Sequence, residues 1–150
     1  MATDPTLAEM LRLALAARGN AHAPYSGFKV GAALRGESGR IFAGCNVENA
    51  AYPQGQCAEA SAIGQLVAAG DKRVLECVVV ADGPDLVTPC GGCRQRLREF
   101  AGDDAAIHLC DLGGVKRSVA LGDLLRCGFL SSRVGLPRTS QLPASLSNPL

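Results

Sequence analysis

The chain contains no tryptophan, and aromatic residues make up only 4% of its 150 positions. A core must therefore be packed from Ala, Val, Leu and Ile. The hydrophobic content of 47% is enough for one core of single-domain size. Net charge is also scarce: fifteen Lys and Arg against fourteen Asp and Glu leave +1. Such a chain has no general attraction for nucleic acid or an anionic membrane, so neither is expected as a partner. No apolar run approaches the roughly 20 residues of a membrane span. Asp4, Glu9, Arg12 and Arg18 interrupt the N-terminal apolar stretch, which does not read as a signal peptide. The expected location is the cytoplasm, where disulfides are disfavoured. Seven cysteines, an odd number, then need an explanation by burial or by metal. The one basic cluster, Arg94-Gln95-Arg96-Leu97-Arg98, reads as a solvated helix face rather than a phosphate site.

Apolar residues at helical spacing predict an amphipathic helix over about 5–18, ended by Gly19-Asn20. From Phe28 the period changes to two. Residues 28–35 read as a strand with one polar or one close-packed face, Glu37-Ser38-Gly39 as a hairpin turn, and 41–47 as the returning strand. An Ala-rich helix over 57–69 follows. Residues 74–81 form a continuous apolar run typical of a strand buried on both faces. A helix over 90–100, a strand over 105–110 and a short helix over 121–125 complete the order α-β-β-α-β-α-β-α. Strands alternating with helices in the second half predict a parallel section, and the opening hairpin makes the sheet mixed. The expected fold is a three-layer αβα sandwich. One domain is expected over 1–130. Residues 131–150 lack periodicity and read as a mobile tail.

Cys57-Ala58-Glu59 opens one predicted helix, and Pro89-Cys90-Gly91-Gly92-Cys93 opens another. Free N–H groups and the positive end of a helix dipole lower a thiol's pKa, and the thiolate is the form that binds zinc. Cys90 and Cys93, three apart, lie on one side of a first turn and can chelate one ion, with Cys57 as third ligand. Three protein ligands leave the fourth tetrahedral position to water, as in a catalytic zinc site. Glu59 can face that water without joining the ligands and act as its proton carrier. The competing readings are a structural zinc site closed by Cys45, Cys77, Cys110 or Cys127, and a redox pair at Cys90 and Cys93. The redox pair leaves Cys57 and Glu59 without a role. Cys77 and Cys110 sit in apolar strands and read as buried small hydrophobes. A Cys-x-Glu about thirty residues before Pro-Cys-x-x-Cys is the signature, in its His or Cys form, of zinc nucleobase deaminases.

The chain resembles the small zinc-dependent cytidine deaminases of nucleoside salvage. The matching residues run from Ala23-Pro24-Tyr25-Ser26-Gly27-Phe28-Lys29-Val30-Gly31-Ala32-Ala33-Leu34, through Gly44-Cys45-Asn46-Val47-Glu48-Asn49-Ala50-Ala51-Tyr52 and Cys57-Ala58-Glu59, to Pro89-Cys90-Gly91-Gly92-Cys93-Arg94-Gln95. The resemblance covers about residues 6–130. It implies a mixed, roughly five-stranded sheet within the αβα sandwich, one zinc per subunit, and a homotetramer with shared active sites. It implies that Asn46 and Glu48 hold the sugar hydroxyls, as two residues on one side of an extended segment can. Phe28 should stack on the base, and Ala58 should offer backbone groups to its edge. Tyr52 should join the subunit contact, and Phe129 should reach a neighbour's pocket. The implied reaction is hydrolysis of cytidine or deoxycytidine to the uridine form plus ammonia. The alternatives are a modified cytosine or blasticidin S-like substrate, and a non-catalytic zinc module on the same fold. Three departures stand out. Ala60 replaces the Arg that in the family lies beside the zinc thiolates, with Arg94 the expected substitute cation. Arg126 stands where Pro is usual, and Leu130 where Gly is common.

Overall fold

A computed structural model describes residues 4–129. Helix α1 (Pro5–Gly19) starts where the Asp4 carboxylate accepts the Thr6 N–H at 2.8 Å, with Pro5 in the first helical position. Strands β1 (Val30–Gly36) and β2 (Ile41–Cys45) form the expected hairpin, with Leu34 opposite Phe42. Helix α2 (Ala58–Ala68), β3 (Val74–Ala81), α3 (Gly91–Phe100), β4 (Ala106–Asp111), β5 (Gly114–Ala120) and α4 (Leu121–Leu124) follow. The sheet order is β2-β1-β3-β4-β5. The β3–β4 pair is parallel and its neighbours are antiparallel. The mixed αβα sandwich is therefore present.

Successive residues of β3 divide between the two faces of the sheet. Cys77 and Val79 pack with Leu34, Leu66, Leu97 and Ile107 under α2 and α3, while Val78 and Val80 pack with Met10, Ala14 and Ala33 under α1. This two-sided burial is why β3 is a continuous apolar run. The alternation in β1 comes from a close-packed face, not a polar one. A Cβ on Gly31 would lie 2.0 Å from the Ala14 carbonyl oxygen of α1. Gly44 makes the same close approach to α2, where a Cβ would lie 2.5 Å from the Ala62 nitrogen. Both helices thus settle onto the hairpin at a residue without a side chain.

Two boundaries and one strand differ from the sequence reading. Strand β1 begins at Val30, so Phe28 lies in the preceding loop. Strand β2 ends at Cys45, and Val47 instead bridges to His22 and Gln56. Strand β5 has no counterpart in the residue pattern, because Lys116, Arg117 and Ser118 are exposed along this edge strand and erase the apolar signal. Residues 131–150 and Leu130 lie outside the described residues.

Candidate metal centre and substrate cavity

Cys57 is the N-cap of α2 and Cys90 the N-cap of α3. Both have extended backbone, and neither side chain caps its own helix, so the thiols project toward each other. Cys57 Sγ and Cys90 Sγ are 3.8 Å apart, and Cys93, in the first turn of α3, brings its Sγ within 4.8 Å of both. A tetrahedral zinc with Zn–S bonds of about 2.3 Å requires an S···S edge of roughly 3.8 Å. The three thiols therefore fit one zinc ion. They are the only such group of ligating side chains among the described residues. Cys77 and Cys110 are buried elsewhere in the sheet, and neither Cys45 nor Cys127 joins the cluster, so no fourth cysteine closes the site.

The local chemistry suits a cation. A hydrogen bond from Cys93, with a second from Cys90, brings the Cys57 thiol down to about 6. The Cys93 thiol moves the other way, because its proton is shared with Cys57 and because it is buried. Two helix N-termini point at the cluster, each equivalent to about +0.5 charge. Glu59, in the first turn of α2, is only 3% exposed. Burial raises its carboxyl above the ordinary carboxylate range, opposed by hydrogen bonds from its own N–H and Cys93 and by the Arg96 charge. A buried carboxyl of raised pKa beside a metal site is suited to carrying protons.

The cluster borders an open cavity of about 440 Å³ through two of its thiols. Phe28, Asn46, Glu48, Tyr52, Ala58 and Glu59 line it together with Cys57 and Cys90. Val30, Val79, Val87 and Thr88 also line it and were not singled out from the sequence. Only the position of Thr88, two residues before a ligand, could have flagged it. Asn46 and Glu48 do more than face the cavity. The Asn46 amide accepts the Val30 N–H and donates to the Phe28 carbonyl, both at 2.8 Å. The Glu48 carboxylate accepts the Tyr25 N–H at 2.9 Å, the Ser26 N–H at 3.2 Å and the Ser26 hydroxyl. These bonds, the Ser26 hydroxyl foremost, hold Glu48 below the usual carboxylate range. The two residues therefore moor the loop that presents Phe28. Tyr52 is 76% exposed at the cavity mouth, edge-on to Tyr25 at 5.8 Å. Phe129 is also exposed and lies outside the cavity lining, its backbone paired with the Gln95 side chain.

The basic cluster is sorted by helix geometry rather than spread on one solvated face. Arg94 donates to the Pro89 carbonyl at 2.7 Å, the Leu124 carbonyl at 3.0 Å and the Thr88 hydroxyl at 2.9 Å. It braces the ligand loop against α4, with its guanidinium bonded to these three neutral acceptors and to none of the thiols. Arg98 is buried, bonded to the Ala101 carbonyl and paired with Asp103 at 3.1 Å. The cation whose charge reaches both Cys57 and Glu59 is Arg96. Arg126 is exposed.

An αβα sandwich with an open three-thiol centre and a buried glutamate at two helix starts defines a zinc-dependent deaminase-type hydrolase. The chain belongs to the cytidine and deoxycytidylate deaminase family, whose zinc-binding region matches residues 5–109. A cytidine deaminase from Sporosarcina psychrophila is 42% identical over 113 residues, covering 75% of this chain and 83% of that protein. A cytidine deaminase from Halalkalibacterium halodurans is 38% identical over 120 residues, covering 80% and 91%. The crystal structure of cytidine deaminase from Burkholderia pseudomallei matches with a TM-score of 0.76 at 41% identity, covering 81% of this chain and 98% of that one.

Proposed function

We propose that this chain hydrolyses the 4-amino group of cytidine or deoxycytidine, with Cys57, Cys90 and Cys93 holding zinc and Glu59 moving the protons. The observation that carries this reading is the buried Glu59 carboxyl beside three clustered thiols, two of them lining a nucleoside-sized cavity. Zinc, when bound, supplies the Lewis acid that makes a water nucleophilic near neutral pH. Glu59 takes a proton from the attacking water and delivers it to ring N3. It then carries a second proton to the 4-amino group, which leaves as ammonia while C4 becomes a carbonyl. Phe28 offers an aromatic face to the base, and Ala58 offers backbone groups to the base edge. Asn46 and Glu48 place the Phe28 loop and present polar atoms to the sugar.

The cavity lining also separates nucleoside from nucleotide. It contains two carboxylates, Glu48 and Glu59, and no Lys or Arg among the described residues. A 5′-phosphate would find no cation there, which favours cytidine and deoxycytidine over deoxycytidylate. That substrate class fits a role in pyrimidine salvage, which we place in the cytoplasm. A homotetramer with shared sites is consistent with the exposed Tyr25, Phe28 and Tyr52 around the mouth and the exposed Phe129 outside it. Sedimentation of the full chain tests the tetramer. An absorbance assay over cytidine, deoxycytidine, deoxycytidylate, 5-methylcytidine, cytosine and blasticidin S tests the function, with Glu59→Ala as control. Turnover of the two nucleosides is expected. Turnover of blasticidin S alone would move the chain to the antibiotic-deaminating reading, and turnover of none would overturn the proposal.

A further inference from the structure

A divalent ion held by three thiolates carries one net negative charge, and hydroxide in the fourth position would make it two. The two helix N-termini, at about +0.5 each, balance only part of this. The Glu59 carboxyl is buried in the same place. The nearby cations are few. Arg94 and Arg98, four apart, lie on one side of α3, and their guanidinium groups are held by carbonyls, the Thr88 hydroxyl and Asp103. Arg96 lies between them in sequence, about 200° around the helix from Arg94. It follows Cys93 by three residues, and helical side chains lean toward the N-terminus, so Arg96 reaches back over the first turn where the ligands sit. The contact surface is Gly92, one of the two glycines between Cys90 and Cys93. A Cβ at Gly92 would lie 3.0 Å from Arg96 Nη1 and 3.9 Å from Cys90 Sγ. The two atoms therefore flank one point and are no more than about 7 Å apart. Arg96 is exposed and has no hydrogen bond or ion pair among the described residues, so its charge is not neutralised by another side chain there.

We propose that Arg96 is the cation that offsets the negative charge of the zinc–thiolate cluster, a positioning residue for the metal that does not touch substrate. The proposal rests on Cys57, Cys90 and Cys93 being the zinc ligands. Its sign follows from the ligand chemistry. A positive charge held within about 7 Å of Cys90 Sγ attracts the anionic zinc–thiolate cluster and so favours the metal-bound form. Position 60 offers an internal control. Ala60 follows Cys57 by three residues on α2, the same offset at which Arg96 follows Cys93 on α3. A cation at either position would lean over its own helix start toward the shared cluster.

The test is competition for zinc at neutral pH between the protein and a chromogenic chelator, with zinc alone as the probe. The series is the parent chain, Arg96→Lys, Arg96→Gln, Arg96→Glu and the double variant Ala60→Arg/Arg96→Gln. Zinc affinity should fall in the order of side-chain charge. Arg96→Lys should stay near the parent, and Arg96→Gln should lose roughly tenfold, the low end for partners of metal ligands. Arg96→Glu should lose more, and the double variant should recover most of the Arg96→Gln loss. For the zinc-loaded variants kcat should fall with charge while KM for cytidine stays within about twofold, since Arg96 is absent from the cavity lining. Thermal unfolding of the metal-free forms should be unchanged, because an exposed side chain with no bonds contributes little to folding. Zinc affinity for Arg96→Gln and Arg96→Glu within twofold of the parent would overturn the role. So would a loss that the cation at position 60 fails to recover. A parent chain that binds no zinc would overturn the ligand assignment as well, which separates that failure from this one.

Discussion

The two ends of the cavity are built by different means. At the metal end, two helix starts place three thiols and a carboxyl through local geometry: a cap residue, its first turn, and little else. At the other end, Phe28 sits on a loop that is held by the side chains of Asn46 and Glu48, about twenty residues away in sequence, and by a few local bonds such as Phe28 N–H to the Ser26 hydroxyl. The metal end is anchored by the packing of α2 and α3 on the sheet through Leu66 and Leu97. The Phe28 end is anchored by hydrogen bonds at a half-exposed surface. Chemistry placed on element ends inherits the rigidity of the core, whereas recognition placed on a loop depends on a few polar contacts.

Four substitutions would break or sharpen this contrast. The largest effect is expected from Cys90→Ser. It removes a ligand from the metal end, so metal analysis should show zinc content far below one per chain, with deamination lost. Glu59→Gln comes next. It keeps the shape and the thiols, so zinc content should be retained while kcat falls by about 10²–10⁴, the usual contribution of a positioned acid–base group. At the other end, Glu48→Ala frees Tyr25 and Ser26 from three hydrogen bonds. The loop then binds less well, and KM for cytidine should rise about tenfold, equivalent to about 1.4 kcal/mol. Its kcat should change less, and zinc content not at all. An equal loss of zinc in Glu48→Ala would show that the two ends are not independent.

The smallest effect concerns Asp71, outside both ends. Its carboxylate accepts the Ser38 hydroxyl at 2.6 Å and pairs with Arg40 at 3.2 Å across the end of the β1–β2 hairpin. The Ser38 hydroxyl foremost, then the Ser38 N–H and Arg40, hold it below the ordinary carboxylate range. A depressed folded pKa stabilises the protein above the unfolded value near 4, and the gain is lost as pH falls through the folded value. Asp71→Asn should therefore lower Tm by a few degrees at pH 7, with the difference from the parent shrinking in acid below about pH 4. Thermal scans at several pH values check this, and deamination at neutral pH should be unaffected.

Much of the fold was legible because its elements bury one clean face. The α1 stripe, the β3 run and the ligand-bearing helix starts all carried their pattern in consecutive residues. Strand β5 did not, since an edge strand bearing Lys116, Arg117 and Ser118 toward solvent has no apolar period to read. Phe28 was read as the first residue of a strand because it shares the alternation of β1, although its backbone lies outside the sheet. At the site, the signature supplied the thiols and Glu59. Arg94, the cation expected beside the thiolates, is adjacent to a ligand in sequence, but its guanidinium bonds Pro89, Thr88 and Leu124 rather than a thiol.

By itself the sequence determined the metal-ligating set, the acid beside it and the order of most elements. Those depend on spacings of two or three residues and on helix starts, which local backbone geometry settles without reference to the rest of the chain. Only the tertiary structure decided which cation faces the thiolates, how Asn46 and Glu48 hold the Phe28 loop, and which side chains enclose the cavity. Those depend on the rotation of α3 about its axis and on contacts between segments far apart in sequence. A residue's neighbours along the chain do not specify which way it faces once two helices and a sheet have packed together.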